Sequence, residues 1–252
     1  MKIVLTHDAD SVHKPIEHIR ARRDRFTEKD LKAAEKGALN LYNNISDIVQ
    51  LETELGFRST FFIPTFLFNL YSIADTLKAI QREGIELQLH YVHEDHPQFK
   101  GLFNMQKAFF SDLIGPVQGV RCHNLWVTST LLELFKQELV IYDSSYRGET
   151  VEQVDPYCLE NGLIEIPIGI MDTDLFGRLH LTENEAWKYI LKDLNDAKVH
   201  RTQYYSFLFH QESFRMKGGR LYSKLLKHLA DEGYECIRCC DVHLVKEALK
   251  TI

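Results

Sequence analysis

Three short segments concentrate the side chains that could do chemistry. The first is Thr6-His7-Asp8-Ala9-Asp10 near the N-terminus. Two carboxylates two residues apart share one face of an extended chain, where they repel unless a cation lies between them or one takes up a proton. That spacing points to a metal site or an acid/base pair; the structural alternative is a pair of turn or capping carboxylates, since Asp is common where a strand leaves a sheet. The second segment, Leu89-His90-Tyr91-Val92-His93-Glu94-Asp95-His96, packs three histidines and two carboxylates into its last seven residues. Imidazole with carboxylate suits Zn²⁺ or a similar divalent ion, whereas a solvated polar loop would hold the same residues facing water. His90 is the leading ligand, and the second ligand from this segment stays open among His93, Glu94 and His96. The third segment is Tyr205-Ser206-Phe207-Leu208-Phe209-His210-Gln211. A lone His closing an apolar strand is commonly structural, but at the same mouth as Asp8 and His90 it becomes a candidate proton donor.

These segments need elements to bring them together. Short apolar or β-branched runs predict strands over 2–6, 59–64, 85–90, 117–121, 140–143, 163–170 and 204–210, with a late one over 235–239. Helical periodicity lies between them over 28–55, 73–83, 105–113, 129–138, 183–197, 221–232 and 242–250, and the polar stretch 147–160 reads as a loop. Such alternation means parallel strands joined by crossover helices. The phase within the strands says more. Thr6, Asp8 and Asp10 share a face opposite Ile3, Leu5 and His7; Glu86, Gln88 and His90 share a face opposite Ile85, Leu87 and Leu89. A plain buried parallel strand is apolar on both faces, and here one face stays polar. The economical explanation is a closed α/β barrel whose outer face packs on helices and whose inner face gathers ionisable groups at the C-terminal ends of the strands.

Composition narrows the partners. The 252 residues, 44% hydrophobic and 26% charged, are those of an ordinary globular chain, and without a linker or repeat they are expected to form a single domain over 1–252. Thirty Lys and Arg against 36 Asp and Glu give a net charge of −6 with no basic stripe, which excludes nucleic acid as the expected partner. With no signal-peptide core at the N-terminus and no apolar run long enough to span a bilayer, no membrane partner and a cytoplasmic location are expected. The five cysteines, an odd number, argue against a disulfide framework. Cys236-Ile-Arg-Cys239 lacks the second pair a zinc site needs, so buried reduced thiols are expected.

The residues resemble the polysaccharide deacetylase family, the NodB-like carbohydrate esterases of family 4, over nearly the whole chain. Thr6-His7-Asp8-Ala9-Asp10 is similar to the first motif in its D-x-D form, and Ser59-Thr60-Phe61-Phe62-Ile63-Pro64 to the strand that follows. Gly84-Ile85-Glu86-Leu87-Gln88-Leu89-His90 resembles the second motif, Val120-Arg121-Cys122-His123 the third, Tyr142-Asp143-Ser144-Ser145 the fourth, and Leu208-Phe209-His210 the final histidine. The resemblance implies a distorted (β/α)7 barrel of the NodB type and metal-dependent removal of acetyl groups from N-acetylated sugars. It makes Asp8 the general base, Asp10 and His90 metal ligands, and Arg121 the group that orients the base. Asp143 would pair with Arg121 or tune His210, and His210 would be the general acid. Two positions depart from the pattern. The usual second motif has a further His four residues after the first; here that position is Glu94, with His93 one residue early, so either is the expected third ligand. His123 stands where the family commonly has Pro, a change expected to alter the substrate groove.

The expected enzyme is therefore a hydrolase of a carbon–nitrogen bond that uses a divalent metal, Zn²⁺ first among them, on a small N-acetylated sugar, a glycan or a lipid- or nucleotide-linked precursor. A backbone N–H in the loop after Asp143 would help hold the oxyanion. Tyr91, Trp126, Tyr146 and Phe214 are candidates to stack on a sugar ring, or to pack on neighbouring helices. Two rivals remain: a catalytically degenerate sugar-binding protein of the same fold, and a metal-independent glycoside hydrolase using Asp8 or Asp10 with a carboxylate such as Glu165.

Overall fold

In the computed structural model, which describes residues 1–93 and 99–250, strands and helices alternate along the chain. In order they are β1 (Lys2–Asp8), α1 (Ile16–Ala21), α2 (Glu28–Glu35), α3 (Ile45–Glu54), β2 (Thr60–Pro64), α4 (Ala74–Arg82), β3 (Glu86–Tyr91), α5 (Phe99–Leu113), β4 (Gly119–Cys122), α6 (Ser129–Gln137) and β5 (Tyr142–Asp143). The second half adds β6 (Tyr157–Cys158), β7 (Ile164–Glu165), β8 (Ile170–Met171), α7 (Glu183–Val199), β9 (Tyr204–Leu208), α8 (Lys217–Asp231), β10 (Cys236–Ile237) and α9 (His243–Leu249).

The parallel ladder runs β5-β4-β3-β2-β1-β9. It closes through one stretch of chain that changes partner. Ile164 and Glu165 pair with β5, whereas Ile170 and Met171 pair with β9. The sequence pattern reads 163–170 as one strand; Pro167, which lacks an N–H, sits where it divides. Counting that stretch once gives a seven-membered ring, distorted where the ladder is interrupted. Two strands lie outside it: β6 runs antiparallel to β7, and β10 adds to the start of β1 beside Ile3 and Val4.

Strand parity sorts the core into two regions. Outward-facing Leu5, Phe61, Leu89, Val120 and Phe207 pack on helix residues such as Ile48, Leu77, Phe110, Phe135, Ile190 and Leu225. The one ionisable group on this face of β1, His7, is matched inside the layer: Nε2 lies 2.8 Å from Glu52 of α3, and Nδ1 lies 2.9 Å from the carbonyl of Phe209. Ser59 and Tyr222 donate to the same Glu52. Inside the ring, Val4, Phe62, Tyr142, Ile164 and Ile166 form a second cluster with Ile237, Cys239, Val242 and Val245, so β10 and α9 plug one end of the bore. Above the plug Glu86 accepts from Thr60 Oγ1, Gln88 Nε2, Tyr142 Oη and the N–H of Cys240, at 2.7–3.1 Å. A buried carboxylate with four donors is satisfied and has no capacity left for chemistry. Gly119 makes room for Tyr142, whose ring would lie 2.0 Å from an added Cβ.

The predicted helix over 28–55 is two helices, α2 and α3. Gly37 turns the chain at φ +70°, and Leu41 and Tyr42 leave helical register to pack with Phe26 and Leu31 in a third small cluster. Helix α1 carries no buried residue, which is why no apolar period announced it. All five cysteines are free; Cys122, Cys236 and Cys239 are buried, while Cys158 is exposed, a departure from the expectation of uniformly buried thiols. Among the described residues no helix is long and apolar enough to cross a membrane.

Candidate active site

The inward faces of the strands deliver their last side chains to a cavity of about 1090 Å³ that Asp8, Asp10, His90 and His210 line. Extended geometry continues past β1, where the N–H of Ala9 donates to the carbonyl of Phe62, so Asp8 and Asp10 keep one parity. In β4 the inward positions are Gly119 and Arg121, and His123 follows two residues later. Because His90 is paired with Arg121, His123 is set beside His90.

Three donor atoms meet there. His90 Nε2 lies 3.1 Å from Asp10 Oδ1, His123 Nδ1 lies 3.3 Å from the same oxygen, and the two nitrogens are 3.2 Å apart. Neighbouring ligands of a tetrahedral divalent ion stand roughly 3.4 Å apart for bonds near 2.1 Å, so this nearly equilateral triangle fits such an ion. Asp10 Oδ1 is buried yet has no hydrogen bond of good geometry, although two imidazole nitrogens converge on it. Burial pushes the Asp10 carboxyl up, but the closely set His123 and His90 imidazoles outweigh it and hold the group well below the usual carboxylate range. Asp10 correspondingly raises His123.

Asp8 stands beside the triangle, with Oδ2 3.9 Å from His90 Nε2. Its other oxygen takes a 2.9 Å hydrogen bond from Arg121 Nη1. Arg121 is fully buried and held on every side: Nη1 also donates to Thr6 Oγ1, Nε to the carbonyl of Ser144 and Nη2 to Ser144 Oγ, while the guanidinium lies 4.1 Å from the Phe62 ring centroid. The guanidinium therefore fixes which way the Asp8 carboxylate points.

At the same mouth, following β9, His210 Nδ1 lies 2.7 Å from Asp172 Oδ1, and its Nε2 is 3.9 Å from Asp10 Oδ2. Ser213 Oγ and the N–H of His210 both bond the second oxygen of Asp172, locking that carboxylate. Burial alone would lower the imidazole, and Asp172 more than reverses this, holding His210 well above its usual range. Glu212 next to it is pushed up to about 8, by burial first and by its neighbour Asp10 in addition.

The sequence-derived residues thus divide. Asp8, Asp10, His90, Arg121 and His210 come together. His93, expected as a ligand, is instead buried 5.0 Å from the ring of Tyr91 and 4.8 Å from that of Trp126, with Nε2 2.7 Å from the carbonyl of Trp126, and it is not in the triangle. Glu94 and His96 lie outside the described residues. The third place belongs to His123, which the motif comparison treated only as a departure; the parity of Gly119, Arg121 and His123 was the available signal. Asp143, expected on Arg121 or His210, hydrogen-bonds the side chain and N–H of Ser145. The carboxylate on His210 is Asp172, which the sequence reading missed and which sits two residues beyond the strand predicted over 163–170.

The oxyanion N–H expected after Asp143 is not at the first three positions. Ser144, Ser145 and Tyr146 donate to Val120, Asp143 and Glu165 respectively. Glu165 is fully buried and pushed well up by that burial and by Asp143, so it is not a carboxylate facing a glycosidic bond. Of the candidate sugar-stacking rings, Tyr91 is a core residue and Phe214 packs against the core, whereas Tyr146 lines the cavity and Trp126 is 40% exposed.

No family model matches the sequence, and no curated protein matches it. Solved structures do. A protein described as a polysaccharide deacetylase from Mycobacterium smegmatis superposes with a TM-score of 0.72 at 15% identity, over 99% of this chain and 91% of that one. An allantoinase gives 0.68 at 16% identity, over 98% and 90%. A family 4 carbohydrate esterase pseudoenzyme from Bacillus anthracis gives 0.59 at 8% identity, over 96% of this chain and 64% of the other. At these identities the likeness is one of fold, and it is the fold that the six sequence motifs implied.

Proposed function

From a chain with the NodB-type fold of the polysaccharide deacetylases, we propose a metal-dependent hydrolase that removes an acetyl group from an N-acetylated sugar or a related amide. The observation that carries this reading is the convergence of Asp10, His90 and His123 on one point, flanked by Asp8 on Arg121 and by His210 on Asp172. A divalent ion held by those three residues, Zn²⁺ first among them, supplies Lewis acidity when bound, acidifying water and polarising an amide carbonyl.

The chain's own groups do the rest. Asp8 Oδ2 faces the triangle and accepts the proton of the attacking water, while Arg121 keeps Oδ1 occupied and the carboxylate aimed. His210, held above its usual range by Asp172, presents Nε2 to the cavity and gives its proton to the departing nitrogen. An amine leaves only after protonation, so an imidazolium at the same mouth as the base is the required complement. Tyr146 supplies a ring on the cavity wall against which a sugar can rest.

Metal analysis and acetate release test this together. Asp8→Asn is expected to keep its metal and lose turnover by about 10²–10⁴-fold, the usual contribution of a positioned base. His90→Ala is expected to lose both. Wild-type turnover in Asp8→Asn would refute the assignment. A second reading, a degenerate sugar-binding protein, is favoured by the origin of the third donor just after β4, outside the segment carrying His90. Its signature is a folded protein that binds a sugar with neither stoichiometric metal nor acetate release.

A further inference from the structure

One corner of the same cavity contains groups that the hydrolytic chemistry does not use. Arg22 and Arg25, in the turn after α1, line it with Tyr42. Elsewhere in the cavity Arg147 and Arg178 are committed to Asp174, at 2.5 and 3.0 Å. Among the described residues neither Arg22 nor Arg25 has a carboxylate within ion-pair distance; Arg22 Nη1 has only His18 Nδ1, at 3.2 Å. Tyr42 is 3% exposed and lines the cavity, and its buried hydroxyl has no hydrogen-bond partner. Buried hydroxyls are ordinarily paired, so this one is placed against the ordinary rule.

The corner is built and anchored. The Tyr42 ring is held edge-on by His18 at 5.6 Å and by Phe26 at 5.9 Å. Gln211, the residue after His210, donates to the carbonyl of Tyr42 at 3.0 Å, which ties this corner to the proton donor. Burial pushes the Tyr42 phenol up, and the nearby Arg22 and Arg25 guanidiniums act against it. The cavity, at about 1090 Å³, slightly exceeds the roughly 300–1,000 Å³ usual for small-molecule sites and has room for more than one acetylated sugar ring.

We propose that Arg22, Arg25 and the Tyr42 hydroxyl form an anion subsite, and that the substrate is an N-acetylated sugar bearing a phosphate. The acetyl part of this statement rests on the hydrolase reading; the phosphate part rests on the corner alone. Two forked guanidinium donors and one hydroxyl donor suit the several oxygens of a phosphate monoester, with charge-assisted hydrogen bonds that are the stronger kind.

Calorimetric titration with inorganic phosphate tests the subsite without requiring hydrolysis. Wild-type protein is compared with Arg22→Gln/Arg25→Gln and with Tyr42→Phe, all carrying their native metal, so any phosphate taken up by the ion is common to the three. The double variant is expected to bind at least about tenfold more weakly and Tyr42→Phe about three- to tenfold more weakly. Phe retains the ring packing, and circular dichroism confirms that each variant is folded. In acetate release, N-acetylglucosamine 6-phosphate is expected to exceed N-acetylglucosamine in kcat/KM by about tenfold or more, a preference falling toward one in the double variant. Phosphate affinity unchanged by these substitutions overturns the subsite, as does tighter binding of malonate than phosphate. Phosphate binding that depends on the three residues, with no acetate released from either sugar, upholds the subsite and defeats the hydrolase reading instead.

Discussion

Replacing Arg121 by Met removes a cation from the centre of the bore with little change in volume. Asp8, 2% exposed, loses its 2.9 Å partner, and breaking a buried ion pair on one side costs about 3–5 kcal/mol because the remaining charge is stranded. The carbonyl of Ser144 loses its 2.8 Å donor, which adds about 1 kcal/mol. The sum, about 4–6 kcal/mol, is a large part of the roughly 5–15 kcal/mol that stabilises a typical domain. At about 2–4 °C per kcal/mol for a chain of this size, Tm should fall by about 8–24 °C. Calorimetry or thermal circular dichroism reads this directly, and a second substitution identifies the cause. In Asp8→Asn/Arg121→Met the stranded charge is gone, so the double variant should be more stable than Arg121→Met alone, by about 2 kcal/mol or more. Arg121→Lys keeps the charge without the fork and should recover much of the stability while aiming Asp8 poorly. If Arg121→Met costs under about 1 kcal/mol, or Asn at position 8 brings no relief, the pair is not what holds Asp8 and the argument for a positioned base fails.

Three other outcomes follow from the same geometry. His123→Ala should lower metal affinity at least as far as the roughly 10–100-fold typical of losing a group that merely supports a ligand, whereas His93→Ala should leave metal content near wild type; metal analysis after dialysis separates them. Asp172→Asn removes the charge that raises His210 and leaves burial, which lowers it, so the protonated fraction falls. The alkaline limb of kcat/KM should move to lower pH by about one unit or more, and an unmoved limb would separate His210 from proton donation. In wild type the raised His210 contributes stability at acid pH that is lost as pH rises through its folded value, a dependence that Asp172→Asn should flatten. Gly119→Ala places a methyl 2.0 Å from the Tyr142 ring inside the bore, and should destabilise by about 1–3 kcal/mol or more in a denaturant titration.

Much of this protein is written in short-range pattern. Alternation of strand and helix and the polar parity of Thr6-Asp8-Asp10 and Glu86-Gln88-His90 are properties of neighbouring residues, and they suffice for a barrel with ionisable groups at one mouth. Even within that pattern some positions misled: Glu86 shares the face of His90 yet spends its carboxylate on four donors beneath the site.

Which tips meet depends on pairings between distant segments. His123 becomes the neighbour of His90 because Arg121 lies opposite His90 in the β3–β4 ladder, a register that no window of sequence contains. Asp172 reaches His210 because the stretch after Pro167 leaves β5 and joins β9, and a partner change of that kind is decided by closure of the whole ring. The break between α2 and α3 likewise follows from the packing of Leu41 and Tyr42 on Phe26, which competes successfully with local helical periodicity. Residue type and period therefore determined the architecture and most of the candidate groups. The third member of the donor triangle and the carboxylate behind His210 were decided only when the strands closed on one another, because a site of this kind is a set of contacts between residues far apart in the chain.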